Sequence, residues 1–122
     1  MNERIPLRAT TDELPGPILA IRVSGVLDAE THRAASAEVE SAFARKPVAV
    51  VLDLTAVDFM GSSGIAVLIN AHHRANRLGI AFAVVANTRS VLRPLRVSQV
   101  DGTLALHPTV DEAIAAVRLV ST

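Results

Sequence analysis

The chain has 122 residues, no cysteine, three phenylalanines as its only aromatic residues of the Phe, Tyr and Trp set, and twelve cationic side chains against twelve carboxylates. Its length suits one domain with one core, and half of its residues are hydrophobic, enough to fill that core. The absence of cysteine excludes disulfides, zinc-thiolate centres and thiol redox chemistry, and the zero net charge argues against nucleic acid or an electrostatic membrane anchor as partner.

Met1 to Arg4 lead into no apolar stretch of the kind a secretory signal carries. The longest apolar run, Val48 to Leu52, stops at Asp53, far short of the roughly 20 residues of a spanning helix. A cytoplasmic protein with no direct membrane insertion is expected.

In chain order, Arg4 to Arg8 alternate polar and apolar, which predicts a half-buried edge strand with Pro6 tolerated at the edge. Thr10 to Pro17 contain Asp12, Pro15, Gly16 and Pro17 and read as a turn or hairpin loop. Ile18 to Val23 form a strand that Ser24-Gly25 end. From Asp28, a plausible N-cap with Glu30 in the first turn, the period changes: Ala35, Val39, Ala42 and Phe43 share one helical face, and Arg45-Lys46-Pro47 stop the helix. Val48 to Leu54 are nearly all apolar, the pattern of a strand covered on both faces.

Residues 55–61 read as a loop. Ile65, Leu68, Ile69 and His72 mark a second helix closed by Gly79 as C′ residue. Ile80 to Ala86 form another buried strand, Val91, Leu92 and Leu95 a short helix around Pro94, and Thr103 to Leu106 a short strand. Thr109 caps a last helix with Val110, Ala113, Ile114 and Val117 on one face and Asp111-Glu112 in its first turn. Strands alternating with helices predict an α/β fold, a mixed, mostly parallel sheet flanked by about four helices. Parallel strands ending near Val23, Leu54 and Ala86 would bring loops 24–30, 55–64 and 87–91 to one sheet edge, where open α/β folds place their sites.

On that edge the sharpest local feature is Asp58-Phe59-Met60-Gly61-Ser62-Ser63-Gly64-Ile65, two hydroxyls between glycines at a strand-to-helix turn. Ser62 or Ser63 is expected to serve simply as the helix N-cap, the commonest use of Ser at such a position. A phosphate there is also compatible with the open amides of a helix start, while adding about two negative charges to the surface. Enzymatic readings fail on spacing. A nucleophile elbow around Ser63 needs glycine where Ile65 stands, and a Walker A loop needs a lysine, whereas the only lysine is Lys46. Of the four histidines, His32, His72, His73 and His107, the adjacent pair diverges on a helix, so no metal site is expected, nor any cofactor. Arg89, Arg93 and Arg96 make a modest basic stretch, a solvated face in most proteins, from which Arg89 could meet an acidic partner.

In Val50 to Leu54, Val57 to Ile65, Ser24 to Asp28 and Val110 to Val117 the sequence resembles a STAS domain, specifically the bacterial anti-sigma factor antagonists, over roughly residues 17–119 of the 1–122 domain. The resemblance implies a non-enzymatic regulator, monomer or weak dimer. It would bind an anti-sigma factor that is also a serine kinase, be released when phosphorylated, and be reset by a phosphatase. The phosphoacceptor position corresponds to Ser62, with Ser63 as second candidate, and the partner-facing positions are Asp28, Asp58, Met60, Gly61, Ser63, Gly64 and Arg89. The pattern departs at Gly61, where the family often has an acidic residue. Two other roles are compatible with the residues: a never-phosphorylated STAS scaffold in a stressosome-like or transporter-associated assembly, and a nucleotide-binding domain, the latter without any glycine-rich cradle.

Overall fold

The computed structural model describes residues 7–121. Its elements are β1 (Leu7–Leu14), β2 (Ile18–Leu27), α1 (His32–Ala44), β3 (Ala49–Met60), α2 (Ser62–Leu78), β4 (Ala81–Val85), α3 (Arg89–Val97), β5 (Leu106–His107) and α4 (Val110–Ser121). The strands lie side by side in sequence order. β1 runs antiparallel to β2, and every other neighbouring pair is parallel, so the expected mixed α/β sheet is present.

Because successive strand residues point to opposite faces, each central strand serves two cores. Leu19, Ile21 and Val23 of β2, with Val50, Leu52 and Leu54 of β3, pack under α1, α2 and α3. Ile18, Ala49, Val51, Ala83 and Val85 face the other way, against Ala113 and Val117 of α4. Parallel strands added in one direction by right-handed crossovers place all their connecting helices on one side. α4 alone covers the second side, which is why β3 and β4 are apolar without alternation.

Several boundaries differ from those the sequence predicts, each for a local reason. Arg4, Ile5 and Pro6 of the predicted first strand lie outside the described residues. Where a loop was expected from Thr10, β1 continues to Leu14 in register with β2, Thr11 opposite Ile21 and Leu14 opposite Ile18, leaving only Pro15 to Pro17 as the turn. Ser24-Gly25 do not end β2. They pair with both neighbours, Gly25 with Leu7 and with Val57, and the strand runs on to Leu27. The predicted loop 55–61 is mostly strand, since β3 extends to Met60. Two register shifts against β2 hide it: two steps from Arg22 to Ser24 match three from Asp53 to Ala56, and one step from Gly25 to Val26 matches two from Val57 to Phe59. β3 therefore carries two bulges, and its buried residues Leu54, Val57 and Met60 recur every third residue instead of every second. Asp53, itself buried, accepts the Thr55 N–H through Oδ1 at 2.9 Å within the first bulged step. β5 is shorter and later than expected, Leu106–His107.

The helix ends follow the sequence more closely. Gly79 closes α2 in the left-handed conformation, φ 71°. Thr109 caps α4 by accepting the Glu112 N–H at 3.1 Å, with Asp111 and Glu112 in the first turn. For α1 the N-cap is Thr31 and not Asp28, so Glu30 precedes the helix. Asp28 instead organises the turn before it, its Oδ1 accepting the Glu30 N–H at 2.9 Å and the Thr31 N–H at 3.2 Å.

Two substitutions test this construction by urea unfolding. A Cβ on Gly64 would lie 2.8 Å from Leu27 Cγ and 2.9 Å from the Leu27 carbonyl oxygen. Gly64→Ala is therefore expected to destabilise by about 1–3 kcal/mol through overpacking, although the same change in an open helix stabilises by up to about 1 kcal/mol; a gain would contradict the close approach. Asp53→Ala, which orphans the Thr55 amide, is expected to cost about 1–2 kcal/mol, and an unchanged unfolding midpoint would show that the bulge does not depend on it.

Candidate functional site

The carboxyl ends of β2, β3 and β4 converge on one edge, and the bulges of β3 carry its end as far as the end of β2, pairing Leu27 with Met60. One hydrogen bond joins the two chain segments there: the Gly61 N–H donates to the Leu27 carbonyl at 2.9 Å. The N-cap of α2 is Gly61 and neither serine, with no side-chain capping bond, because the glycine carbonyl already receives the amides of Gly64 and Ile65 at 3.0 and 3.2 Å in ordinary extended geometry, φ −94° and ψ −179°. Ser62 and Ser63 thus occupy the first two positions of α2, whose amides point out of the helix with no intrahelical acceptor. Ser62 is exposed and Ser63 half-buried. No acidic residue stands in the first turn of α2, so its partial positive charge is not neutralised from within the helix.

The sequence-derived residues divide sharply. Asp58 is exposed near the end of β3, four residues before Ser62, and Asp28 is half-buried in the adjacent turn. Asp28 is bound into a tight local network. Its N–H donates to Thr31 Oγ1 at 3.0 Å, and the Thr31 hydroxyl donates to the Val26 carbonyl at 2.8 Å. Thr31 is 5% exposed, so this network is a structural pin under the edge. Met60 does not face a partner: it is 3% exposed and belongs to the core under the helices. Gly64 is likewise buried, against Leu27, and its part is to let α2 approach β2. Gly61 is different, because a Cβ there would meet Phe59 Cε2 at 3.4 Å and Asp28 Cβ at 3.7 Å, ordinary contacts. Arg89 opens α3 after β4 and is exposed.

Phe59 is the surface feature that sequence reasoning passed over. It is 54% exposed, one of only three phenylalanines in the chain, and its ring edge flanks Gly61. Its signal was present in the sequence as a large apolar residue between Asp58 and a buried Met60, but it is legible only once β3 is known to extend past Thr55. The edge thus presents an apolar ring, a carboxylate and a hydroxyl at an open helix start.

Among the described residues no group of three or more His, Asp or Glu side chains is placed to hold a metal ion. The rings of His72 and His73 meet edge-on with centroids 5.5 Å apart, and His72 Nε2 faces Asn76 Nδ2 at 3.4 Å. A groove of about 660 Å³ lies at the opposite end of the sheet, around Phe43, Lys46, Leu78 and Val120, and includes none of the residues around Ser62. Among the described residues no helix is long and apolar enough to cross a membrane.

A STAS domain model matches residues 9–113. The chain is similar to the anti-sigma-F factor antagonist RsfB of Mycobacterium tuberculosis, 30% identical over 101 residues that cover 83% of this chain and 82% of RsfB. It is also similar to the anti-sigma-F factor antagonist RsfA of the same organism, 30% identical over 112 residues, 90% of this chain and 87% of RsfA. The crystal structure of an anti-sigma factor antagonist from Mycobacterium paratuberculosis superposes with a TM-score of 0.86 at 32% identity, covering 92% of this chain and 94% of that one. With the sheet order, the four helices and the Ser-Ser-Gly start of α2 already in place, these matches mean that the chain belongs to the STAS domain family, among its anti-sigma factor antagonists.

Proposed function

We propose that this protein binds an anti-sigma factor that is also a serine kinase, through the edge around Ser62, and that phosphorylation of Ser62 by that kinase releases it. The observation that carries the reading is the position of Ser62: an exposed hydroxyl on the first residue of α2, clear of the core beneath it. A kinase can reach such a hydroxyl without unfolding the domain. Once formed, the phosphate lies at the positive end of α2, where its own helix tolerates it. The same phosphate adds about two negative charges to the edge that Asp28 and Asp58 share. A partner docked over Phe59 would then face a desolvated charge, so the modification acts on the interface and not on the fold. A phosphatase closes the cycle. Sequestering the kinase frees its sigma factor, and releasing the kinase captures it again. Ser63, half-buried at the second helical position, is the less accessible hydroxyl.

Three outcomes test this. Incubation with ATP and the cognate anti-sigma factor should place phosphate on Ser62, seen by peptide mass spectrometry, and Ser62→Ala should abolish it; phosphate persisting on Ser63 alone would transfer the switch to that residue. Ser62→Asp should weaken binding of the anti-sigma factor by at least about tenfold in calorimetry, and wild-type affinity would contradict the release step. Gly61→Asp, which restores the acidic residue frequent in the family, should fold with an unfolding free energy within about 0.5 kcal/mol of wild type, because its Cβ meets only ordinary contacts; a larger loss would show that this edge requires glycine.

A further inference from the structure

The zero net charge conceals a division of the chain. Between Asp58 and Asp101 there is no acidic residue at all, while Arg74, Arg77, Arg89, Arg93 and Arg96 fall in that span. Arg74 pairs with Glu40 of α1. The last three stand at i, i+4 and i+7 along the nine residues of α3, on one exposed face, and among the described residues none of them is in an ion pair. Val91 and Leu95 hold the opposite face, both fully buried.

As a helix, α3 is poorly composed on its own terms. Arg89 places a cation at the end where the helix dipole is positive. Like charges at i, i+4 and i, i+3 repel. Its N-cap Thr88 makes no capping bond, and the Thr88 hydroxyl oxygen is buried without a hydrogen-bond partner among the described residues. Such local violations gather where a surface serves a partner. Beside the guanidiniums stands exposed apolar surface: Val97 is 75% exposed, and two grooves of about 460 and 470 Å³ run past Arg89 and Arg93, both lined by Val97, one also by Pro94 and the other by Leu92. A planar guanidinium takes a carboxylate through two parallel hydrogen bonds.

We propose that the outward face of α3, Arg89, Arg93 and Arg96 with Val97, is a second docking surface that takes a carboxylate-rich segment of a protein partner. That this partner is the anti-sigma factor engaged at Ser62 rests on the function proposed above. Arg89 begins where β4 delivers the chain to the Ser62 edge, so a partner seated on that edge can extend along α3. A protein is favoured over nucleic acid because the footprint is three cations interleaved with apolar surface on a chain of zero net charge.

Fluorescently labelled decaglutamate provides the test, since it carries the proposed chemistry and no phosphoacceptor or kinase. Wild type should bind it with an affinity that falls as salt rises. Arg93→Glu/Arg96→Glu should weaken binding by about tenfold or more, whereas Lys46→Glu/Arg77→Glu, the same change of charge elsewhere, should stay within about twofold. Ser62→Ala should also stay within about twofold, which separates this surface from the phosphorylation switch. If the reversed double variant melts early, Arg93→Gln/Arg96→Gln replaces it and should still lose several-fold. Wild-type binding by the α3 variants, an equal loss in the Lys46/Arg77 control, or tighter binding of a short DNA duplex than of decaglutamate at the same salt would each overturn the proposal.

Discussion

Leu27 is the point on which the functional edge is assembled. Its side chain is 1% exposed, and its carbonyl receives the Gly61 N–H at 2.9 Å. Its side chain and carbonyl leave room for Gly64 only because that residue has no Cβ. The end of β2, the end of β3 and the start of α2 are therefore locked to one another before any surface residue is considered. Ser62 sits between the two contacts, Gly61 held on one side and Gly64 on the other, so its exposure follows from the packing of its neighbours. Thr31 and Asp28 extend the same lock from the other flank, by hydrogen bonds that fix the turn into α1.

The bulges of β3 supply the reach. A regular strand pairing with β2 from Ala49 would arrive at the end of β2 two residues earlier, with different residues facing the core. Two one-residue insertions turn Val57 to the inner face and Asp58 outward, while Met60, shifted by both, stays on the inner face and Phe59 on the outer. The outward carboxylate of Asp58 is thus a product of the same irregularity that keeps the core filled.

That irregularity also marks where the sequence stopped being readable. The four helices and the central strands could be seen from period alone, because Ala35, Val39, Ala42 and Phe43, or Ile80 to Ala86, keep a regular pattern. Gly79 and Thr109 were legible as terminators because their chemistry is local. Strand length beyond Leu54, β1 beyond Thr10 and β2 beyond Ser24 depend on pairing with a neighbour, which no local pattern carries. Asp28 had the composition of an N-cap, and its Oδ1 does accept the amides two and three residues on, but in the turn before α1; Thr31 takes the cap position without a side-chain capping bond, its hydroxyl donating to the Val26 carbonyl instead. Met60 read as partner-facing surface, and Phe59 was missed, because the strand end read as a loop, in which no alternation separates inner from outer positions. Ser62 and Ser63 were legible through their resemblance to a family, and the fold gives the physical ground for separating them, one exposed and the other half-covered.

The central claim is that phosphate on Ser62 changes what the surface binds while leaving the domain intact. The measurement that meets it most directly uses the chain carrying phosphoserine at position 62 and compares, with the unmodified chain, both the free energy of unfolding in urea and the affinity for the cognate anti-sigma factor. The expected result is an affinity lower by at least about tenfold with an unfolding free energy changed by less than about 1 kcal/mol. A phosphorylated chain that unfolds readily, or one that binds as tightly as before, would contradict it.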